Sequence, residues 1–287
     1  MERFYCFAGL ELAISTQIEW ITHGDTCLET FRVDSVTDPH RYFFTVVDEL
    51  SPPEGQLVAT MGNFFIYWSD DVRIRYIGAG MKEWFDGHTR VMHQGKHHFV
   101  ELKKSSYPNG MRTKTVLNVL EAEHLLAENN GFIFHSSFVD VDGHGILFTA
   151  PSGTGKSTQA DLWKQFRGAR IINGDRSAVR CIEEEILACG IPFMGSSEYC
   201  MNEMLPLSCV VYLAQSSQTT IRRLKGLEAF RRVWEGASVN TWDRKDMSLV
   251  MDTVCYLVEN VPVWYLECTP DESAIIALEQ QMKGRYT

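Results

Sequence analysis

Residues 150 to 158, Ala150-Pro151-Ser152-Gly153-Thr154-Gly155-Lys156-Ser157-Thr158, put backbone freedom, an amine and several hydroxyls at a spacing that suits a chain of phosphates. Gly153 and Gly155 let the main chain turn so that successive N–H groups face inward. Lys156 can then reach the β- and γ-phosphates, and Ser157 can offer its hydroxyl to Mg²⁺ where a helix begins, at the end that favours anions. Ala150 stands where glycine is commoner in this pattern. The run predicts a phosphate-binding loop for ATP and Mg²⁺, with Ser152, Gly153, Thr154, Gly155, Lys156, Ser157 and Thr158 on the nucleotide and Ser157 on the metal.

A metal-holding acid is required at the end of a neighbouring strand. Asp175, in Ile171-Ile172-Asn173-Gly174-Asp175-Arg176, falls one helix and one strand beyond Lys156. It could bind Mg²⁺ directly or through water, or accept the proton of an attacking hydroxyl, and the sequence leaves these roles open. Arg176 has two readings, a group that stabilises transferred phosphate charge or a surface arginine. His135 enters through register. With Gly143 and His144 as turn residues, 142 pairs with 145 and 135 falls opposite 152, beside the mouth of the loop; a hydrogen-bonded core histidine is the competing reading. His93, His97 and His98 have a spacing that could suggest metal, but no supporting acid or cysteine is near in sequence, and a solvated loop is expected there.

These residues need a scaffold. Residues 1–110 are rich in short aromatic and β-branched runs, such as Tyr42 to Val47, Leu57 to Thr60 and Asn63 to Trp68. Pro52-Pro53-Glu54-Gly55, Ser69-Asp70-Asp71 and Asp86-Gly87 punctuate them, so this part is expected to be a β-rich domain. Thr113 to Asn130 reads as one helix, which places a second domain at 111–287. There, Phe132 to Val141 and Ile146 to Ala150 read as strands around the turn signal Asp142-Gly143-His144-Gly145, and the second strand runs directly into the glycine loop. A helix over Ser157 to Phe166 follows, then strands at Ala169 to Asn173, Leu205 to Ala214 and Val261 to Glu267. Helices are expected at Leu227 to Trp234, Asp246 to Glu259 and Pro270 to Met282, the last with Thr269 as its cap.

Composition narrows the partners. The 287 residues are 45% apolar and 11% aromatic, enough for a real core, and the formal charge is -10. With no basic run, neither a nucleic-acid backbone nor a membrane surface is an expected partner. No apolar stretch approaches the roughly 20 residues that span a bilayer. The eight cysteines show no C-x-x-C spacing and no signal peptide is evident, so free thiols and a cytoplasmic location are expected. The oligomeric state is left open, a homo-oligomer included.

The strand before a phosphate loop usually lies in a parallel sheet, whereas here its predecessor is expected to pair with it antiparallel. In this combination the chain resembles the kinases similar to HPr kinase/phosphorylase, which share a nucleotide-binding core with phosphoenolpyruvate carboxykinases. The resemblance covers about Gly131 to Gln281. It rests on Phe134-His135-Ser136-Ser137, Ala150 to Thr158, Asn173-Gly174-Asp175, the run from Gly190 to Ser197, Asn202, Pro206-Leu207 and Val261 to Cys268. It implies an α/β fold, a mixed-sheet P-loop kinase domain of the HPr kinase/PEP carboxykinase type preceded by a β-rich N-terminal domain. It also implies transfer of the γ-phosphoryl of ATP to a hydroxyl, a serine of a protein or peptide or a small-molecule alcohol, with Lys156, Asp175 and His135 as catalytic residues. HPr kinase has two adjacent aspartates where this chain has Gly174-Asp175, so Asp175 is left to carry metal binding, proton acceptance or both. Gly195 to Ser197 with Asn202 is the expected acceptor side. The alternative is an ATP-binding regulatory or chaperone module without transfer; carboxykinase chemistry is disfavoured by the short chain and its few metal ligands.

Overall fold

The computed structural model describes residues 2–16, 26–107, 111–193, 195 and 198–282. The chain divides into two compact units, Met1–Glu121 and Ala122–Thr287. The division follows the first helix and does not fall at 110/111, because that helix belongs with the first unit. Its nine strands are β1 (Glu2–Phe7), β2 (Leu10–Thr16), β3 (Arg32–Val33), β4 (His40–Val47), β5 (Gln56–Met61), β6 (Phe64–Ser69), β7 (Val72–Ile77), β8 (Thr89–Gln94) and β9 (His97–Lys103). They form one mixed sheet in the order β3-β1-β2-β4-β9-β8-β7-β6-β5, with β4 parallel to both β2 and β9. The aromatic and β-branched runs fall on β4, β5 and β6, since such side chains fill a pleated, half-buried surface.

His93, His97 and His98 lie on strands and not in a solvated loop. His93 on β8 and His98 on β9 are 7% and 3% exposed, and only His97 faces outward. His98 Nε2 lies 3.0 Å from His40 Nδ1, its Nδ1 lies 2.8 Å from His93 Nδ1, and His93 Nε2 lies 3.3 Å from Glu121 Oε2. Glu121 also pairs with Arg73, and with Arg75 at 3.1 Å. Burial pushes the His98 imidazole down to about 2 and lowers that of His93. Burial opposes ionisation of Glu121, but His93, Arg73 and Arg75 together hold its carboxyl well below the usual range. To face this cluster Glu121 takes a left-handed φ of 52°, which ends α1 (Thr113–Leu120). The single helix expected over 113–130 is therefore two, the next being α2 (Ala122–Glu128).

The second unit adds β10 (Gly131–Phe134), β11 (Ser136–Val141), β12 (His144–Thr149), α3 (Lys156–Arg167), β13 (Arg170–Asn173), β14 (Ser177–Ile182), β15 (Glu185–Cys189) and β16 (Met204–Gln215). After these come β17 (Thr220–Leu224), α4 (Gly226–Trp234), β18 (Ala237–Ser238), α5 (Arg244–Asn260), β19 (Val263–Cys268) and α6 (Glu272–Met282). Its mixed sheet runs β13-β11-β12-β16-β15-β14-β10-β18, with β19 beside β16 and β17 beside β19. The strand expected over 132–141 is broken at His135: β10 pairs with β14 and β18, whereas β11 pairs with β12 and β13. Strands β12, β16 and β19 are parallel, as a strand feeding a helix requires.

Alternation along the strands supplies two cores. Phe138 and Leu147 pack with Val250, Val254 and Leu257 of α5, whereas Val139, Ile146 and Phe148 pack with Ala160 and Trp163 of α3 and Ile275 and Leu278 of α6. The sheet is thus covered by helices on both faces. The β11–β12 hairpin turns on Asp142 and Gly143, at φ 51° and 83°, and not on Gly143 and His144. Both residues sit in the left-handed region that a two-residue hairpin turn of this hand demands, and Asp140 Oδ1 accepts the Gly143 N–H at 2.8 Å. Helix α6 is capped by Asp271, whose carboxylate accepts from Ser273 N at 2.8 Å and Thr269 Oγ1 at 2.6 Å, so Thr269 supports the cap without being it. No helix among the described residues is long and apolar enough to cross a membrane. Cys6, Cys181, Cys189, Cys209, Cys255 and Cys268 are free thiols, whereas Cys27 and Cys200, against expectation, are disulfide-bonded.

Candidate active site

The glycine loop leaves the end of β12 and enters α3. Gly153 has φ 79° and Gly155 φ 119°, and a Cβ on Gly153 would meet nothing within 4 Å, so conformation and not crowding selects glycine there. Gly155 occupies the N-cap position and no side chain caps the first turn of α3. An uncapped first turn leaves N–H groups to be satisfied by water or an anion. Gln215, at the end of β16, donates to Thr154 O at 3.2 Å and Gly153 O at 3.5 Å, which fixes the outer bend of the loop. Ser152, Ser157 and Thr158 are exposed and Thr154 is half-buried.

Lys156 was expected to reach outward, but it is only 7% exposed and donates to Ala150 O at 3.1 Å. The amine lies folded across the base of its own loop. Burial lowers its pKa from the usual lysine range, and the Asp175 carboxylate pulls in the opposite direction.

Asp175 follows β13 and Gly174. Its Oδ1 lies 3.2 Å from His135 Nε2, and that hydrogen bond is the main cause holding the carboxyl below its usual range; burial opposes it, while the charges of Arg176 and Lys156 add to it. The carbonyl of Gly174 accepts from Ser137 Oγ at 2.8 Å and Ser157 Oγ at 3.5 Å. This brings the start of α3 to the residue before Asp175.

His135 arrives by a different route from the register argument. With Asp142-Gly143 as the turn, Ser136 pairs with Thr149, and position 135 lies just outside the paired strand, not opposite 152. It sits where the chain passes from one part of the sheet to the other. Its N–H donates to Gly236 O at 2.8 Å and its carbonyl accepts from Thr149 Oγ1 at 3.0 Å, so both main-chain groups are anchored. Gly236 is required by close approach, since a Cβ there would lie 2.8 Å from Thr149 Oγ1.

Asn173, at the end of β13, is fully buried. Its amide donates to Ile191 O at 3.1 Å, Phe193 O at 3.2 Å and Tyr199 O at 3.4 Å, and its Oδ1 accepts Ile191 N–H at 2.9 Å. Phe193 in turn lies beneath the Arg176 guanidinium, with 4.7 Å from Cζ to the ring centroid. Arg176 Nε is buried without an acceptor among the described residues. Gly195 approaches Asp175 closely enough that a Cβ on it would stand 2.8 Å from Asp175 Cγ. Met194, Ser196 and Ser197 lie outside the described residues, so of the expected acceptor side only Gly195 and an exposed Asn202 are placed.

Asn173, Gln215 and Gly236 had no assigned role in the sequence. Asn173 carried the one available signal, an amide side chain in an otherwise apolar buried strand, which must find several partners.

Ser157 and Asp175 offer hard oxygen donors, and two protein ligands leave room for phosphate oxygens and water, the arrangement that suits Mg²⁺. With Lys156 and Arg176 nearby, the donor set fits a cation bound together with a polyphosphate. A different group, His124, Asp243 and Asp246, also converges among the described residues. There Asp243 caps α5, while Asp246 accepts from His124 at 2.8 Å and Asn240 at 2.8 Å, so these acids already serve the fold.

No protein-family model matches the chain, and no curated protein matches it in sequence. Among solved structures it is similar to the Hpr(Ser) kinase/phosphatase from Coxiella burnetii, at 9% identity and a TM-score of 0.34, over 54% of this chain and 99% of that one. At that similarity a functional reading has to stand on this chain's own side chains.

Proposed function

We propose that the second unit is an ATP-dependent phosphotransferase that moves the γ-phosphoryl group to a hydroxyl, in the first instance a serine of a protein or peptide. The observation that carries this reading is the His135–Asp175 pair at 3.2 Å, adjoining a Gly174 carbonyl that also receives Ser157 from the start of α3. An acid–imidazole pair next to an uncapped helix start after a glycine loop is an arrangement for moving a proton beside a phosphate chain.

In this reading the first-turn amides of α3 and the Lys156 ammonium, once released from Ala150 O, bind the β- and γ-phosphates. Bound Mg²⁺, held by Ser157 and Asp175, would neutralise charge on those phosphates. Asp175, surrounded by His135, Arg176 and Lys156, stays ionised and is a weak base, so the acceptor proton is assigned to His135, which Asp175 orients. The acceptor oxygen forms its bond to the γ-phosphorus, the bond to the bridging oxygen breaks, and its electron pair leaves with ADP. Arg176, whose Nε has no acceptor among the described residues, would meet transferred charge in this reading.

Incubation with γ-labelled ATP, Mg²⁺ and candidate hydroxyl acceptors tests this. Label should move with the native protein and not with Asp175→Asn. One feature favours a second reading, an ATP-binding regulatory module: a single carboxylate stands where two would divide metal binding and proton transfer. ATP binding with no transfer to any acceptor supports that module.

A further inference from the structure

Three of the described residues between β15 and β16 are fastened at one point. Four hydrogen bonds join Ile191, Phe193 and Tyr199 to the single carboxamide of Asn173, two residues before Asp175. The peptide of Asn173 adds a bridge to Cys200, and Met201 N–H donates to Ile172 O at 3.1 Å. Asn173 is 0% exposed and lies in the sheet, where its own backbone cannot drift. Gly190 is bound into the same arrangement, for a Cβ on it would overlap the Met201 carbonyl. Ile191, Phe193 and Tyr199 are thus held at the end of β13, and Gly195 lies against the Asp175 side chain.

We infer that Asn173 is a positioning residue for the proposed nucleotide site: by fastening Ile191, Phe193 and Tyr199 it keeps Gly195 against Asp175 and so holds the carboxylate toward His135 and the start of α3. The inference rests on the phosphotransferase reading for what the carboxylate is used for, but the fastening itself is a feature of the fold. Two independent contacts define it. From below, Asn173 fixes Ile191 and Phe193. From above, the Gly195 backbone lies so near Asp175 that a Cβ there would stand 2.8 Å from Cγ and 3.0 Å from Oδ2. Asparagine suits this task because it alone of the small side chains both donates twice and accepts in one plane; aspartate has the same shape without the donors, and leucine has neither. Glycine at 195 is the matching half of the latch, and its backbone is not in the left-handed region, so an added methyl tests space and nothing else.

A residue that orients a metal-holding group through the surrounding shell changes metal affinity by about 10–100-fold when removed. The experiment uses the full chain and a fluorescent ATP analogue as the probe, with MgCl₂ titrated at fixed nucleotide, for the native protein, Asn173→Ala and Gly195→Ala. The expected result is that both variants bind metal-free nucleotide within about twofold of native, since the α3 amides and Lys156 are untouched, while the Mg²⁺ concentration giving half-maximal enhancement rises by about 10-fold or more. Hydrogen exchange at the Ile191 amide should quicken in Asn173→Ala and stay slow in Gly195→Ala, which separates the fastening from the contact on Asp175. If Asn173→Ala does not fold, Gly195→Ala alone carries the metal measurement, because its exposed loop position places no demand on the core.

Native protein that binds no nucleotide overturns the site reading and the inference with it. Native protein that binds Mg²⁺-nucleotide while both variants show the native Mg²⁺ dependence overturns the positioning role alone.

Discussion

Lys156→Met should separate what the amine does for the fold from what it does for a ligand. In the structure the ammonium is 7% exposed, has Ala150 O as its acceptor at 3.1 Å, and is held by burial below its usual pKa. Losing a hydrogen bond to a charged donor costs about 1.5–3 kcal/mol. Removing an ammonium from a site that desolvates it returns an amount of similar size, since the penalty for a buried ion is on the order of several kcal/mol. Methionine keeps the apolar stem, so no large cavity opens. The nucleotide-free variant should therefore be unchanged or stabilised by up to about 1 kcal/mol at pH 7. The sign follows from linkage: a depressed folded pKa means that the folded state binds the proton less well than the unfolded state. Native stability then gains as pH rises through the lowered folded value toward the unfolded one, and the advantage of methionine narrows at alkaline pH. For the triphosphate the change has the opposite sign, because one charge-assisted contact worth about 1.5–3 kcal/mol is lost, or about 10–150-fold in affinity. Urea unfolding without ligand and calorimetric titration with ATP and Mg²⁺ read the two effects. A variant destabilised by about 2 kcal/mol or more that binds ATP with native affinity would refute the reasoning.

Glu121→Gln should destabilise the first unit by about 3–5 kcal/mol, since it leaves Arg73 and Arg75 buried without their shared carboxylate; urea denaturation followed by tryptophan fluorescence measures it. Acidification should weaken the same unit. The folded pKa values of His98, about 2, and of His93 lie below the ordinary imidazole value of 6.5, so the unfolded chain takes up protons first. Stability is then full above about pH 6.5 and declines as pH falls, with Glu121, also depressed, adding its loss below the usual glutamate range. His40 and Tyr42 on β4, Arg73 and Arg75 on β7, and the α1 end at Glu121 all face these rings, and His98→Phe should flatten the pH dependence of the unfolding midpoint. Gly155→Ala should cost about 1–3 kcal/mol in backbone strain at φ 119°, or shift the loop and reduce nucleotide affinity, with the helical circular dichroism of α3 retained.

What could be read from the sequence was local. The glycine loop, the strand before it and the helix after it depend on neighbours in sequence, and the left-handed φ values of Gly153 and Gly155 are what that spacing demands. The hairpin was also legible, but its turn was displaced by one residue, because Asp142 tolerates positive φ and Asp140 caps the Gly143 N–H. Moving the turn by one residue shifts each cross-strand partner by two, and the pairing starts only at Ser136, so placing His135 by that register failed. His135 reaches Asp175 only because the chain breaks there and is anchored to Gly236 and Thr149. Position 236 is far along the chain, and nothing near 135 announces it. Gln215 was silent for the same reason, acting on main-chain atoms of a distant segment, and the amide of Asn173 signalled a need for partners without naming them. The domain boundary moved because Glu121, an ordinary helix residue by propensity, is drawn into a cluster assembled from β4, β7, β8 and β9.

The single carboxylate at the candidate site has a consequence for how a ligand would be met. Asp175 is one negative group beside Lys156 and Arg176, so this neighbourhood is positive within a chain of net charge -10. Gly174 precedes Asp175, and its carbonyl receives the hydroxyls of Ser137 and Ser157. A carbonyl so occupied fixes the strand end rigidly and adds no full charge to attract a cation. In the proposed phosphotransferase, polyphosphate attraction would fall to fixed amides and two cations, while cation binding would depend on the aim of one side chain. A site with two acids tolerates the misdirection of either, but this one has no reserve. That dependence is the reason the contacts on Asp175, from His135 on one side and Gly195 on the other, outweigh its own modest burial in deciding what the site can do.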